Sequence, residues 1–139
     1  MAAPLVPLAF RLWLAQIFFQ AGLSKITTWS STLFLFESEY AVPLLPPAPA
    51  AILASAIELV IPPLLALGLF TRWSALTLFA FNLIAMFSYP ALSDTGRELH
   101  LYWGFMLLAL VAYGGGALSL DAWWARHAGA RKAHVPAGR

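Results

Sequence analysis

The chain contains no cysteine, which excludes disulfides, thiolate metal ligation and iron–sulfur clusters built from its own residues. It is also poor in charge. Only 10% of its 139 residues are Asp, Glu, Lys or Arg, whereas a soluble domain carries about a quarter. Too few charges are present to coat a water-facing surface. No Lys or Arg occurs in the first ten residues, and Arg11 falls within the first apolar stretch. The charge order of a cleaved signal peptide is therefore missing, and the first segment is expected to be retained. The net charge of +2 comes mostly from the last residues, which describes a basic tail and gives no support for nucleic-acid binding.

What the chain has in abundance is apolar side chains, 61% of the total. A single domain of this length allows four membrane spans of about 20 residues, and a fifth would not fit. The expectation is an all-α integral membrane four-helix bundle, with spans at about Pro7–Ile26, Pro49–Leu67, Arg72–Tyr89 and Gly96–Tyr113. Between the first two, Ser30 to Pro47 carries Leu33-Phe34-Leu35-Phe36 and then Pro43, Pro46 and Pro47. It is too short and too rich in proline to span, and is expected to be a half-immersed loop.

Gly68 is placed to end the second span and Thr71 to cap the third. Thr95-Gly96-Arg97-Glu98 matches a capping box for the fourth. Ser119–Arg126, with Trp123 and Trp124, suits a short helix at the headgroup level. Residues 1–126 thus form one transmembrane domain and 127–139 a flexible basic tail. Arg11, Arg72, Arg126, Arg131, Lys132 and Arg139 fall on one side, against Lys25 and Arg97 on the other. This bias predicts both termini in the cytoplasm.

Glu58 stands near the middle of the second span, where a carboxylate is costly unless paired or protonated. Pro62 and Pro63 follow one turn later and free backbone carbonyls beside it, so the helix is expected to kink and a small polar cavity to form. Glu58 is then either a proton carrier or ligand partner, or one half of a structural ion pair. Lys25 and Arg11 are four helical turns apart and share a face of the first span, a stripe expected to neighbour Glu58. Lys25 is the expected partner of Glu58; snorkelling to the interfaces is the alternative for both basic residues.

Gln20 lies on roughly the opposite face. With Arg11, Asn82 and His100 it completes the candidate cofactor-binding set. Asn82 also suits helix-to-helix hydrogen bonding, and His100 suits a hydrogen-bonded interfacial role. Glu98 and His100 fall on different helix faces, so no metal site is expected from them, and one intramembrane histidine cannot supply bis-histidine haem ligation. Phe18, Phe19, Phe79, Phe81 and Phe87 could flank a flat quinone-like ring, although the same spacing serves ordinary packing.

Several of these residues together resemble a known family. Arg11 followed by Phe18, Gly22 and Lys25 is similar to the first helix of DoxX proteins. Ala54-x-x-x-Glu58, then Gly68-Leu69-Phe70-Thr71-Arg72, resembles their second-helix acid and hairpin. Glu98, the glycines at 114–116 and Ser119-Leu120-Asp121 resemble the closing helix and its end. The resemblance implies a four-helix, multi-pass protein of the bacterial inner membrane linked to oxidoreductase systems. One relative is the small membrane subunit of a thiosulfate:quinone oxidoreductase. It carries over Arg11, Lys25, Glu58, Arg72 and Glu98 as the family's polar positions. Pro62-Pro63 and Trp123-Trp124 depart from the pattern.

The reading that follows is a membrane subunit that binds quinone near Glu58 and Lys25. It would work with a peripheral or membrane redox partner protein, because nothing in the chain itself can store electrons, and it could act as a homo-oligomer. In that scheme Glu58 exchanges a proton and Lys25 holds a carbonyl oxygen. A second reading is a non-catalytic anchor or assembly factor docking an enzyme through Glu37, Glu39 and Pro43–Pro47. A third is a small-solute or proton-coupled carrier.

Overall fold

A computed structural model describes residues 5–132, and they form six helices: α1 (Leu5–Thr27), α2 (Trp29–Ser38), α3 (Pro47–Leu67), α4 (Thr71–Ser88), α5 (Asp94–Tyr113) and α6 (Leu120–Lys132). No strand occurs among the described residues. Helix α1 packs most extensively on α3 and also meets α5, while α4 packs on α5 and α3. The four long helices thus close a ring of neighbours, with α2 laid against α3 and α1.

The apolar spacing explains which faces turn inward. Leu14 and Phe18 are one turn apart on α1, Ala75 and Leu78 on α4, and Leu107 and Leu110 on α5; with Leu65 they make one buried cluster. Phe36 of α2 sits on a flat face of α3 formed by Ala50, Ala51 and Ala54. Small residues there let the short helix approach closely. Helices α1 and α3 are each long and apolar enough to cross a membrane. Trp13, Trp73, Phe87 and Phe105 stand exposed on the outside, an apolar surface that a water-soluble monomer rarely carries.

Three local expectations change. The segment expected to be a loop after the first span is helical as α2 through Ser38. Its prolines all fall beyond that point, so nothing breaks the helix, and Thr32 and Phe36 give it a buried face one turn apart. Helix α5 begins at Asp94, ahead of the expected box, because the Ser93 hydroxyl accepts from the Gly96 N–H at 3.0 Å. Helix α4 is not capped by Thr71; its N-cap is Phe70 in a left-handed conformation, φ 48°, and a distant carboxylate supplies the acceptor.

The expected C-cap does form, with Gly68 at φ 69°, the backbone region glycine enters without strain. Helix α3 continues through Pro62 and Pro63 to Leu67. Helix α6 runs on to Lys132, past the Arg126 boundary expected for it. The rest of the expected tail, residues 133–139, lies outside the described residues.

Candidate functional site

The site begins with a glycine. Gly22 of α1 faces α3 so closely that an added Cβ would lie 2.7 Å from Glu58 Cβ and 3.0 Å from its backbone carbon. Only hydrogen fits there. One turn further along the same face, Lys25 Nζ donates to both Glu58 oxygens, at 2.9 and 2.7 Å. This is the salt bridge found among the described residues, and its side chains are 22% and 5% exposed for Lys25 and Glu58 respectively. The expected Lys25–Glu58 contact therefore exists. The end of α1 is tied to α2 as well, because Thr32 Oγ1 donates to the Lys25 carbonyl at 2.9 Å.

Beside the ion pair lies a largely apolar cavity of about 790 Å³ that both Lys25 and Glu58 line. Its walls carry two runs of edge-to-face aromatic contacts. One joins His100 to Trp103 (5.0 Å between ring centres), Trp103 to Phe18 (6.1 Å) and Phe18 to Phe81 (6.4 Å). The other joins Phe36 to Tyr40 (4.8 Å) and Tyr40 to Tyr89 (5.0 Å). All seven of these rings line the cavity. Burial, reinforced by the neighbouring Tyr89, Glu39 and Glu58, holds the Tyr40 phenol above its ordinary pKa, so it remains a hydrogen-bond donor. The loop carrying Tyr40 is fixed to the end of α4 by Ala41 N–H donating to the Ser88 carbonyl at 2.7 Å.

The remaining candidates separate. His100 lines the cavity, and Asn82 stands behind it, fully buried, bonded to it twice: Nδ2 donates to the His100 carbonyl at 2.8 Å and Oδ1 meets the ring Nδ1 at 2.8 Å. Gln20 is on the exposed outer face of α1 and does not line the cavity. Arg11 is not a neighbour of Glu58. Fourteen residues of helix separate it from Lys25, roughly 21 Å of rise, and sharing a face does not shorten that distance.

Arg11 belongs to the other end of the molecule. It is 1% exposed, its Nη2 donates to the Leu118 carbonyl at 2.8 Å, and its Nε and Nη1 have no protein partner among the described residues. Its guanidinium passes over Gly68, where any Cβ would collide with Nη1. Nearby, Asp121 caps α4 from fifty residues away: its carboxylate accepts from the N–H groups of Phe70 and Thr71 and from the Thr71 hydroxyl, each at 2.8 Å. An acid at a helix N-terminus satisfies orphan donors and complements the dipole. Glu37, Glu39 and Glu98 are exposed.

Sequence reasoning did not single out Tyr40, Trp103 or the capping role of Asp121. Trp103 follows His100 by one helical turn and could have been found from that spacing; Tyr40 and Asp121 depend on contacts that no local pattern reveals. Gly22 entered only as part of a motif, and its packing role appears in three dimensions.

Comparison with known proteins agrees with the resemblance. The DoxX family matches residues 6–91. A protein of Haemophilus influenzae, described only as uncharacterized, is 36% identical over 123 residues, which cover 82% of this chain and 80% of that one. No solved structure matches.

Proposed function

The chain belongs to the DoxX family, and from that premise we propose that it is a membrane subunit of an oxidoreductase system whose cavity takes a flat, quinone-like ring beside the Lys25–Glu58 pair. In this reading α1, α3, α4 and α5 all span the bacterial inner membrane, with both termini in the cytoplasm and the exposed aromatic and aliphatic side chains facing lipid. The cavity end then faces outward.

The observation that carries the proposal is one apolar, aromatic-walled cavity of about 790 Å³ with an ion pair set in its wall. Its size is in the range that holds a small organic ligand. Edge-to-face aromatic walls suit a flat ring. Lys25 has a third N–H beyond the two given to Glu58, and it is the more exposed partner, so it is placed to donate to a ring carbonyl oxygen. Glu58 keeps lone pairs free and can take up or release a proton at its carboxylate. A quinone would supply the two-electron chemistry, and the electrons come from a partner protein.

Binding of a short-chain benzoquinone to the purified chain in nanodiscs tests this. Glu58→Gln keeps the shape but removes the charge, and it should weaken binding by at least about tenfold, the equivalent of roughly 1.4 kcal/mol. Wild-type affinity in that variant removes the proposal.

A specific feature also favours a docking role for the same face. Leu44 is fully exposed at φ 68° at the apex of the loop between α2 and α3, with Leu45 exposed beside it and Glu37 and Glu39 nearby in sequence. A partner enzyme would meet the protein there. Co-purification that depends on this loop, with no ring ligand retained, favours an anchor or assembly role over quinone binding.

A further inference from the structure

The paired bonds between Asn82 and His100 have a chemical consequence. Asn82 is fully buried, and one of its amide atoms faces the His100 carbonyl. A carbonyl oxygen can only accept, so the atom facing it must be the NH2 group; the reversed amide would set two acceptors against each other. That fixes Oδ1 opposite His100 Nδ1. Oδ1 can only accept, so Nδ1 must carry the hydrogen. In a neutral imidazole Nε2 is then bare, a lone pair on the ring edge turned away from Asn82.

From this geometry we infer that the cavity takes its ring ligand in the hydroxylated form, with a ligand O–H donating to His100 Nε2. This rests on the ring-ligand reading above and adds the oxidation state of the bound species. Lys25 and His100 both line the cavity, so in this inference Lys25 supplies a donor and His100 Nε2 an acceptor to one ligand. A hydroquinone satisfies both, one oxygen accepting from Lys25 and one hydroxyl donating to His100. A quinone has no hydrogen to give, and leaves Nε2 unpartnered. Asn82 acts through His100 and is a positioning residue: it holds the ring in the one tautomer that presents an acceptor. Trp103, edge-on to His100 at 5.0 Å, limits rotation of the ring.

Two measurements on the full chain in nanodiscs test the inference. The first is the 15N spectrum of histidine-labelled protein, with His100→Phe used to assign the His100 signals. Nδ1 should be protonated and Nε2 bare, and Asn82→Leu should turn this into a mixture of tautomers. The second is affinity for a short-chain benzoquinone and for its hydroquinone. The hydroquinone should bind about tenfold more tightly, the effect of a well-made hydrogen bond. His100→Phe should abolish that preference, so that the two oxidation states bind with equal affinity.

A protonated Nε2 in the wild type overturns the inference, as does a preference that survives in His100→Phe. If the quinone binds in a Glu58-dependent way but the hydroquinone binds no better, this inference fails alone. If neither ring binds, the underlying reading fails and takes the inference with it.

Discussion

At the cavity end a buried charge is met by another side chain: Glu58 by Lys25. At the α3–α4 hairpin end the charges are met mainly by backbone, Arg11 by the Leu118 carbonyl and Asp121 by the N–H groups of Phe70 and Thr71, with the Thr71 hydroxyl as a third donor. The difference bears on what each end can do. A bond to backbone cannot be given up without loosening the chain, so the hairpin end is a clasp joining α1, α4 and α6. A bond between side chains can be shared with a ligand, because Lys25 has a donor to spare and a cavity to point it into. One end fixes the chain, and the other can exchange partners.

The largest expected effect that would break this comparison is on the ion pair. Lys25→Met strands a buried carboxylate and should lower stability by about 3–5 kcal/mol, read as a fall in unfolding temperature in detergent. The double variant Lys25→Met/Glu58→Leu should regain most of that loss, since an apolar pair of similar volume fills the same space, yet bind no ring ligand. A double variant as unstable as the single one would mean that the pair holds the fold together as the hairpin end does.

Gly22→Ala comes next. The added methyl meets Glu58 and Leu59 at 2.7 to 3.1 Å, and forcing α1 from α3 should cost about 1–3 kcal/mol. It should also separate Lys25 from Glu58 and so weaken ring binding. Thermal stability and affinity are expected to fall together, and a variant that loses one alone would uncouple the helix approach from the site.

At the hairpin end, Asp121→Ala removes the acceptor that caps α4 and should cost about 1–2 kcal/mol. Ring-ligand affinity should be unchanged, which sharpens the contrast between the ends; a large loss of affinity would show the two to be coupled. The smallest effect is expected for Glu37→Gln/Glu39→Gln. Both residues are exposed, so stability should move by less than about 0.5 kcal/mol. Any consequence should appear only in retention of a partner protein.

Much of this was legible in the sequence for definite reasons. The boundaries of α1 and α3 follow from long apolar runs and from Gly68, because a left-handed C-cap favours glycine. The Lys25–Glu58 pair was legible because each charge, alone in an apolar run, demands a partner. Helix α2 forms where a loop is expected because the prolines at 43, 46 and 47 lie downstream of it and break nothing before Ser38. Arg11 lies far from Glu58 although it shares a helix face with Lys25, because a shared face gives direction around the axis and says nothing of depth along it. Gln20 offered a polar group but no constraint on which way the face turned, and it turned outward.

By itself the sequence determined that this chain is helical, apolar on its outside and obliged to neutralise an acid in the middle of a helix, because hydropathy and charge are properties of residues in order. Only the tertiary structure decided that Gly22 lets α1 close on α3, that Asp121 caps a helix fifty residues away, and that Asn82 meets both the carbonyl and the ring of His100. Those are relations between side chains distant in sequence, and a hydrogen bond or a close approach depends on positions within a fraction of an ångström that no spacing along the chain encodes.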